Sequence, residues 1–207
     1  MNIPNKNELT RIYGEAEKSA ARFQAVADHF AEIYHHDIAE FFTAPGRTEI
    51  GGNHTDHNHG KVLAGSVHLD CVAAAAPNGT HTVNLISETY NQHLVINLDD
   101  LAPTEKTTGT EPLLKGIFAG LLEKGCKVEG FDAYVTSNVI GGAGVSSSAS
   151  FEMLVCAITN YFFNEGKLEY GEYARAGQYA ENVYWKKASG LMDQMACAAG
   201  GPILLDF

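Results

Sequence analysis

The sequence is poor in positive charge. It has 14 Lys and Arg against 25 Asp and Glu, a formal net charge of −11. Nucleic acid and anionic membrane are polyanions, so this balance excludes both as general partners, although a local site for one phosphate remains open. No apolar stretch reaches the ~20 residues of a membrane-spanning helix. The opening MNIPNKNELT is polar and lacks the apolar core of a secretory signal. The four cysteines, Cys71, Cys126, Cys156 and Cys197, show no CxxC spacing. Scattered thiols suggest a reducing cytoplasm, not a disulfide framework. Repeats and low-complexity linkers are also missing. What is present is 45% hydrophobic residues in 207, enough to bury a sizeable core in one large domain or two small ones.

Periodicity supplies the elements. Leu9, Ile12, Ala16, Phe23, Val26, Phe30 and Ile33 recur at helical steps and predict one helix over 7–35. Branched residues at 81–87 and 93–98, within a strand-rich region 61–100, predict strands. Helices are expected at 112–124, 147–163 and 170–185, and strands at 131–140 and 202–207. Strands and helices mix without a regular βαβ beat, which points to an α+β fold. The sequence stops at the last strand. A complete domain and a chain cut at a domain boundary fit equally well.

Three stretches carry chemistry. The first is APGRTEIGGNHTDHNHG (44–60), with His54, Asp56, His57 and His59 close together after Arg47. Imidazoles at such spacing can bind zinc, while an arginine and a carboxylate suit the hydroxyls of a polyol. The second is GGAGVSSSAS (141–150), a glycine turn between a strand and a serine-rich helix start. Helix N-termini expose unpaired N–H groups and favour anions, so this is a recipe for holding phosphate. It is neither a Walker A loop nor GxGxxG. A tight turn with serine caps reads equally well. The third stretch holds Glu181 and Asp193. Each alone reads as a cap or dipole partner. Beside a phosphate loop they become candidates for phosphoryl transfer.

Together the three resemble the GHMP kinase superfamily, and within it the galactokinase family. The first is similar to GRxNxIGEHTDYxxG, the second to GAGLSSSAS, and AENVYWKKASGLMDQ (180–194) to AENxFxGxxxGIMDQ. The resemblance covers essentially the whole chain. It implies a two-layer α+β sandwich of the ribosomal protein S5 domain 2 type and transfer of phosphate from ATP, with Mg²⁺, to the C1 hydroxyl of galactose. It assigns catalysis to Asp193 and Arg47. It places sugar on Asn53, His54, Thr55, Asp56 and Gly190, and nucleotide on Gly142, Ala143, Gly144, Val145, Ser146, Ser147 and Ser148. Metal falls to Ser148 and Glu181. HTDH then becomes a sugar-recognition turn. The chain departs from the pattern at Glu49 (Asn in the family), Asn53 (Glu), His57 (Tyr) and Ile140 (Pro), which leaves the hexose open, N-acetylgalactosamine included. Galactokinases continue into a second domain, so the resemblance implies that a C-terminal domain is missing and that this portion alone turns over little. The rival readings are a non-catalytic sugar and ATP sensor and a metal-dependent hydrolase built on the histidines.

Overall fold

The computed structural model describes residues 1–36 and 38–207, with the side chains of all of these but Asp56 and His57. It holds a six-stranded sheet of order β1-β2-β5-β3-β4, with β6 paired to β2. The strands are β1 (Glu40–Gly51), β2 (Lys61–Pro77), β3 (Thr82–Ser87), β4 (Gln92–Asn97), β5 (Phe131–Ser137) and β6 (Ile203–Asp206). All pairings are antiparallel except β3 with β5. That mixture confirms the α+β expectation.

The predicted helix 7–35 is two helices, α1 (Lys6–Tyr13) and α2 (Ala16–Tyr34). Asn5 and Glu8 form a capping box that starts α1, and Gly14 ends it at φ 77°. The break rephases the apolar stripe. Leu9, Ala16, Phe23, Val26 and Phe30 are buried, whereas Ile12 and Ile33 face solvent. The buried set packs on Val72, Ala74 and Ala76 of β2. Arg22 and the Tyr13 hydroxyl both donate to the buried Asp70 carboxylate, at 2.5 and 2.6 Å, and pin this hairpin to β2.

The other face of β2, through Cys71, Ala73 and Ala75, joins the main core. Helices α3 (Thr110–Glu123), α4 (Ser147–Phe163), α5 (Tyr170–Tyr179) and α6 (Met192–Ala199) cover that face. They form the two-layer body, and α1–α2 covers part of the opposite face. The first part of the 44–60 motif, residues 44–51, belongs to β1. Two expected boundaries move. The strand expected to reach residue 140 ends at Ser137. The helix expected over 170–185 passes at Ala180–Tyr184 into a π-helical turn, the wider winding that often marks functional sites. Among the described residues, no helix is long and apolar enough to cross a membrane.

Candidate active site

The glycines of the first motif serve a strand distortion. The β1–β2 register shifts between Pro45 and Arg47, and such bulges re-aim the next side chain. Gly46 lies against the glycine loop so closely that a Cβ there would come within 2.6 Å of the Val145 carbonyl oxygen. The Arg47 amide donates to that same carbonyl at 3.1 Å. Arg47 is thereby turned inward and is 6% exposed. Gly46→Ala is expected to destabilise the fold by about 1–3 kcal/mol, the cost of overpacking. An unchanged denaturant midpoint would show that this contact does not hold the loop.

Each guanidinium nitrogen of Arg47 has its own partner. Nε donates to Asp193 Oδ1 at 2.7 Å, Nη1 donates to the Gly144 carbonyl, and Nη2 lies 3.5 Å from His54 Nε2. Asp193 sits in the first turn of α6. Its Oδ2 accepts a short hydrogen bond from the Ser146 hydroxyl. The carboxylate is thus held by a cation and a hydroxyl, yet its side chain remains 34% exposed. It is oriented and still reachable.

The loop over Asp193 is built for left-handed backbone. Gly142, Gly144 and Ser146 have φ of 78°, 75° and 57°. Alternating conformations of this kind turn successive N–H groups toward one concavity, an anion-binding nest. Helix α4 then begins without a side-chain cap and without an acidic residue in its first turn. Ser146, at the cap position, has its hydroxyl on Asp193 instead. No side chain caps the first N–H groups of a 17-residue helix.

A second cluster lies two residues on. Ser148 Oγ donates to Glu181 Oε1 at 3.2 Å. Glu181 occupies the π-helical turn and is buried. Lys187 Nζ reaches both Glu181 oxygens, at 2.9 and 3.0 Å. Lys186 adopts φ 53° where the resembled pattern has glycine. Beside Ser147 and Ser148 a cavity of about 220 Å³ opens between Tyr90, Leu113, Phe151 and Trp185. A larger cleft of about 560 Å³, between Arg11, Thr43, His68 and Tyr173, holds none of the predicted site residues.

Asn53 and His54 both lie in the left-handed region, and a 3₁₀ turn follows over Thr55–Asn58. Thr55 Oγ donates back to the Gly52 carbonyl at 2.8 Å. Asn53 is exposed, and Gly190 is half-buried in the segment before α6. The side chain of Asp56 lies outside those described. Sequence reasoning missed four contributors: the Ser146 bond to Asp193, Lys187 on Glu181, Glu49 on His54, and the buried Glu152. Only Glu152 left a signal, a carboxylate inside an apolar helical run.

Comparison with known proteins gives consistent matches. The galactokinase galactose-binding signature matches residues 28–77, and the GHMP kinases N terminal domain matches residues 112–201. A galactokinase of Clostridium tetani (strain Massachusetts / E88) is 36% identical over 180 residues, covering 86% of this chain and 46% of that protein. One of Streptomyces coelicolor is 34% identical over 186 residues, covering 87% and 47%. The crystal structure of Lactococcus lactis galactokinase complexed with galactose superposes with a TM-score of 0.77 at 28% identity, over 85% of this chain and 46% of that one. Methanococcus jannaschii mevalonate kinase, at 18% identity and TM-score 0.67, shares the fold. The chain spans about half the length of the galactokinases it matches. Signature, N-terminal domain and fold agree, and the chain belongs to the galactokinase family of the GHMP kinase superfamily, matching the N-terminal portion of its members.

Proposed function

We propose that this chain carries the acceptor and phosphate sites of a galactokinase, which moves the γ-phosphoryl group of ATP to the C1 hydroxyl of α-D-galactose. The observation that carries the reading is Asp193, held by Arg47 and Ser146 directly beneath the nest and the uncapped start of α4. The sugar C1 hydroxyl would donate to Asp193, which takes its proton as the oxygen attacks phosphorus. Arg47 orients that aspartate and offsets charge that builds in the transition state. The nest and α4 N-terminus receive the phosphates. The neighbouring cavity, with Trp185 and Phe151 on its walls, suits the nucleoside base.

Ser148 and Glu181 fit a magnesium ion. Their oxygens converge within 3.2 Å, and this hard cation takes few protein ligands, completing its shell with water and phosphate oxygens. When bound it neutralises phosphate charge. Lys187 provides a counter-charge on Glu181. His54 and the turn around Asn53 would hold the sugar. Asn53 offers a neutral amide where the family has a carboxylate, so it orients a hydroxyl without charge assistance.

Amide-resolved NMR tests the reading. Mg·ATP should move the amides of Gly142–Ser148, and galactose those of Asn53–Thr55 and Gly190. Shifts confined to other regions would overturn it. Turnover by the intact gene product, compared across galactose, N-acetylgalactosamine and glucose, identifies the hexose.

A further inference from the structure

We propose that Glu49 is a positioning residue that locks the ring of His54 in one tautomer, with the proton on Nδ1 and Nε2 accepting a hydrogen bond from Arg47. The lock itself stands on geometry; its kinetic consequence rests on the reading of Arg47 and Asp193 given above.

Glu49 sits where β1 and β2 shift register for the second time, between Glu49 and Gly51. Its side chain is 16% exposed, and both its oxygens go to one residue. Oε1 accepts the backbone N–H of His54 at 3.1 Å, and Oε2 contacts His54 Nδ1. An ionised carboxylate only accepts, so Nδ1 must donate. On the far side of the ring, Nε2 lies 3.5 Å from Arg47 Nη2. A guanidinium only donates, so Nε2 must accept. Two independent neighbours therefore demand the same tautomer.

The backbone shows why the clamp is needed. Asn53 and His54 are consecutive non-glycine residues with φ of 62° and 51°. Such positions are uncommon and persist only where surrounding contacts over-determine them. Glu49 ties the amide and the ring of His54 to strand β1 at once. The amide of the family's asparagine has one acceptor oxygen and a donor nitrogen, so it cannot accept through two separate oxygens as this carboxylate does. Among the described residues, the groups facing the ring are Glu49 and Arg47, and behind Arg47 stands Asp193. Release of the clamp lets the proton move to Nε2, where it points at an Arg47 donor. The guanidinium then loses one of its three anchors, and with it the orientation it gives Asp193.

Side-chain ¹H–¹⁵N correlation spectra of the histidines identify which nitrogen of His54 is protonated. The wild-type chain should show Nδ1–H. Glu49→Ala should move the proton to Nε2, while Glu49→Gln, which keeps one acceptor oxygen for the ring, should retain Nδ1–H. In the intact gene product Glu49→Ala should lose about tenfold in kcat, the equivalent of one hydrogen bond to a charged group. An Nε2–H ring in the wild type, or an unchanged ring in a folded Glu49→Ala chain, overturns the proposal. If neither variant folds, the wild-type spectrum alone decides it. A locked ring in a protein that transfers no phosphate to any sugar supports the lock and sinks the functional reading instead.

Discussion

Asp193→Asn in the intact gene product is expected to lose at least roughly a hundredfold in kcat, the lower end of what a general base contributes. The amide cannot take a proton from the sugar hydroxyl, and it removes the negative charge that Arg47 faces at 2.7 Å. It also places a donor against at least one of two existing donors, Arg47 Nε and the Ser146 hydroxyl. Thermal melts keep folding separate from chemistry. Asn53→Ala is the control. Asn53 is exposed, and its removal should chiefly raise KM for galactose, as loss of ground-state binding does. A folded Asp193→Asn protein with near-normal kcat would return Asp193 to the role its position also allows, an acid in the first turn of α6 that complements the helix dipole.

That double reading shows what the sequence made legible. Helix 147–163 reads correctly to the residue, because a serine start and an unbroken apolar run leave little choice. Asp193 reads correctly as a helix-start acid. Its pairing with Arg47 spans 146 positions, and no local spacing encodes it; only the resemblance joined the two. The reason for Gly46 was not legible: it is close approach of the Val145 carbonyl, a tertiary fact that no local pattern encodes. The split of 7–35 was readable in Gly14, whose left-handed φ ends α1, but the apolar period runs across it. Lys187 on Glu181 depends on how the chain turns after the π-helical segment, which no periodicity describes.

Glu152→Gln is expected to make the chain more stable at pH 8 and no more stable, or slightly less, at pH 5. Glu152 is completely buried in α4. Its Oε2 accepts from Gln194 Nε2 on α6 at 3.1 Å, and it lies so near Gly177 of α5 that a Cβ there would come within 2.4 Å. Oε1 has no hydrogen-bond partner among the described residues. Burial, then the charge of nearby Glu181, raises its pKa from 4.5 to about 8. A pKa raised on folding gives stability that is fully present below the unfolded value and is lost as pH rises through the folded one. The wild type therefore weakens progressively from about pH 4.5 to about pH 8. Each pKa unit corresponds to about 1.4 kcal/mol, so the full span sets a ceiling of roughly 4–5 kcal/mol. The other groups whose pKa values move are tyrosines, cysteines and Lys61, all shifted upward above this window. Glutamine stays neutral at every pH. Its carbonyl can keep the Gln194 bond, but its NH₂ has no acceptor waiting at the Oε1 position, hence the small deficit at pH 5. Urea unfolding of both proteins at pH 5, 6.5 and 8 measures the difference. It should grow with pH in favour of the variant, by about 1–3 kcal/mol at pH 8 once relaxation around the ionised carboxylate is allowed for. A difference that did not change with pH would mean that Glu152 titrates alike folded and unfolded, and that the junction of α4, α5 and α6 does not hold a neutral carboxyl.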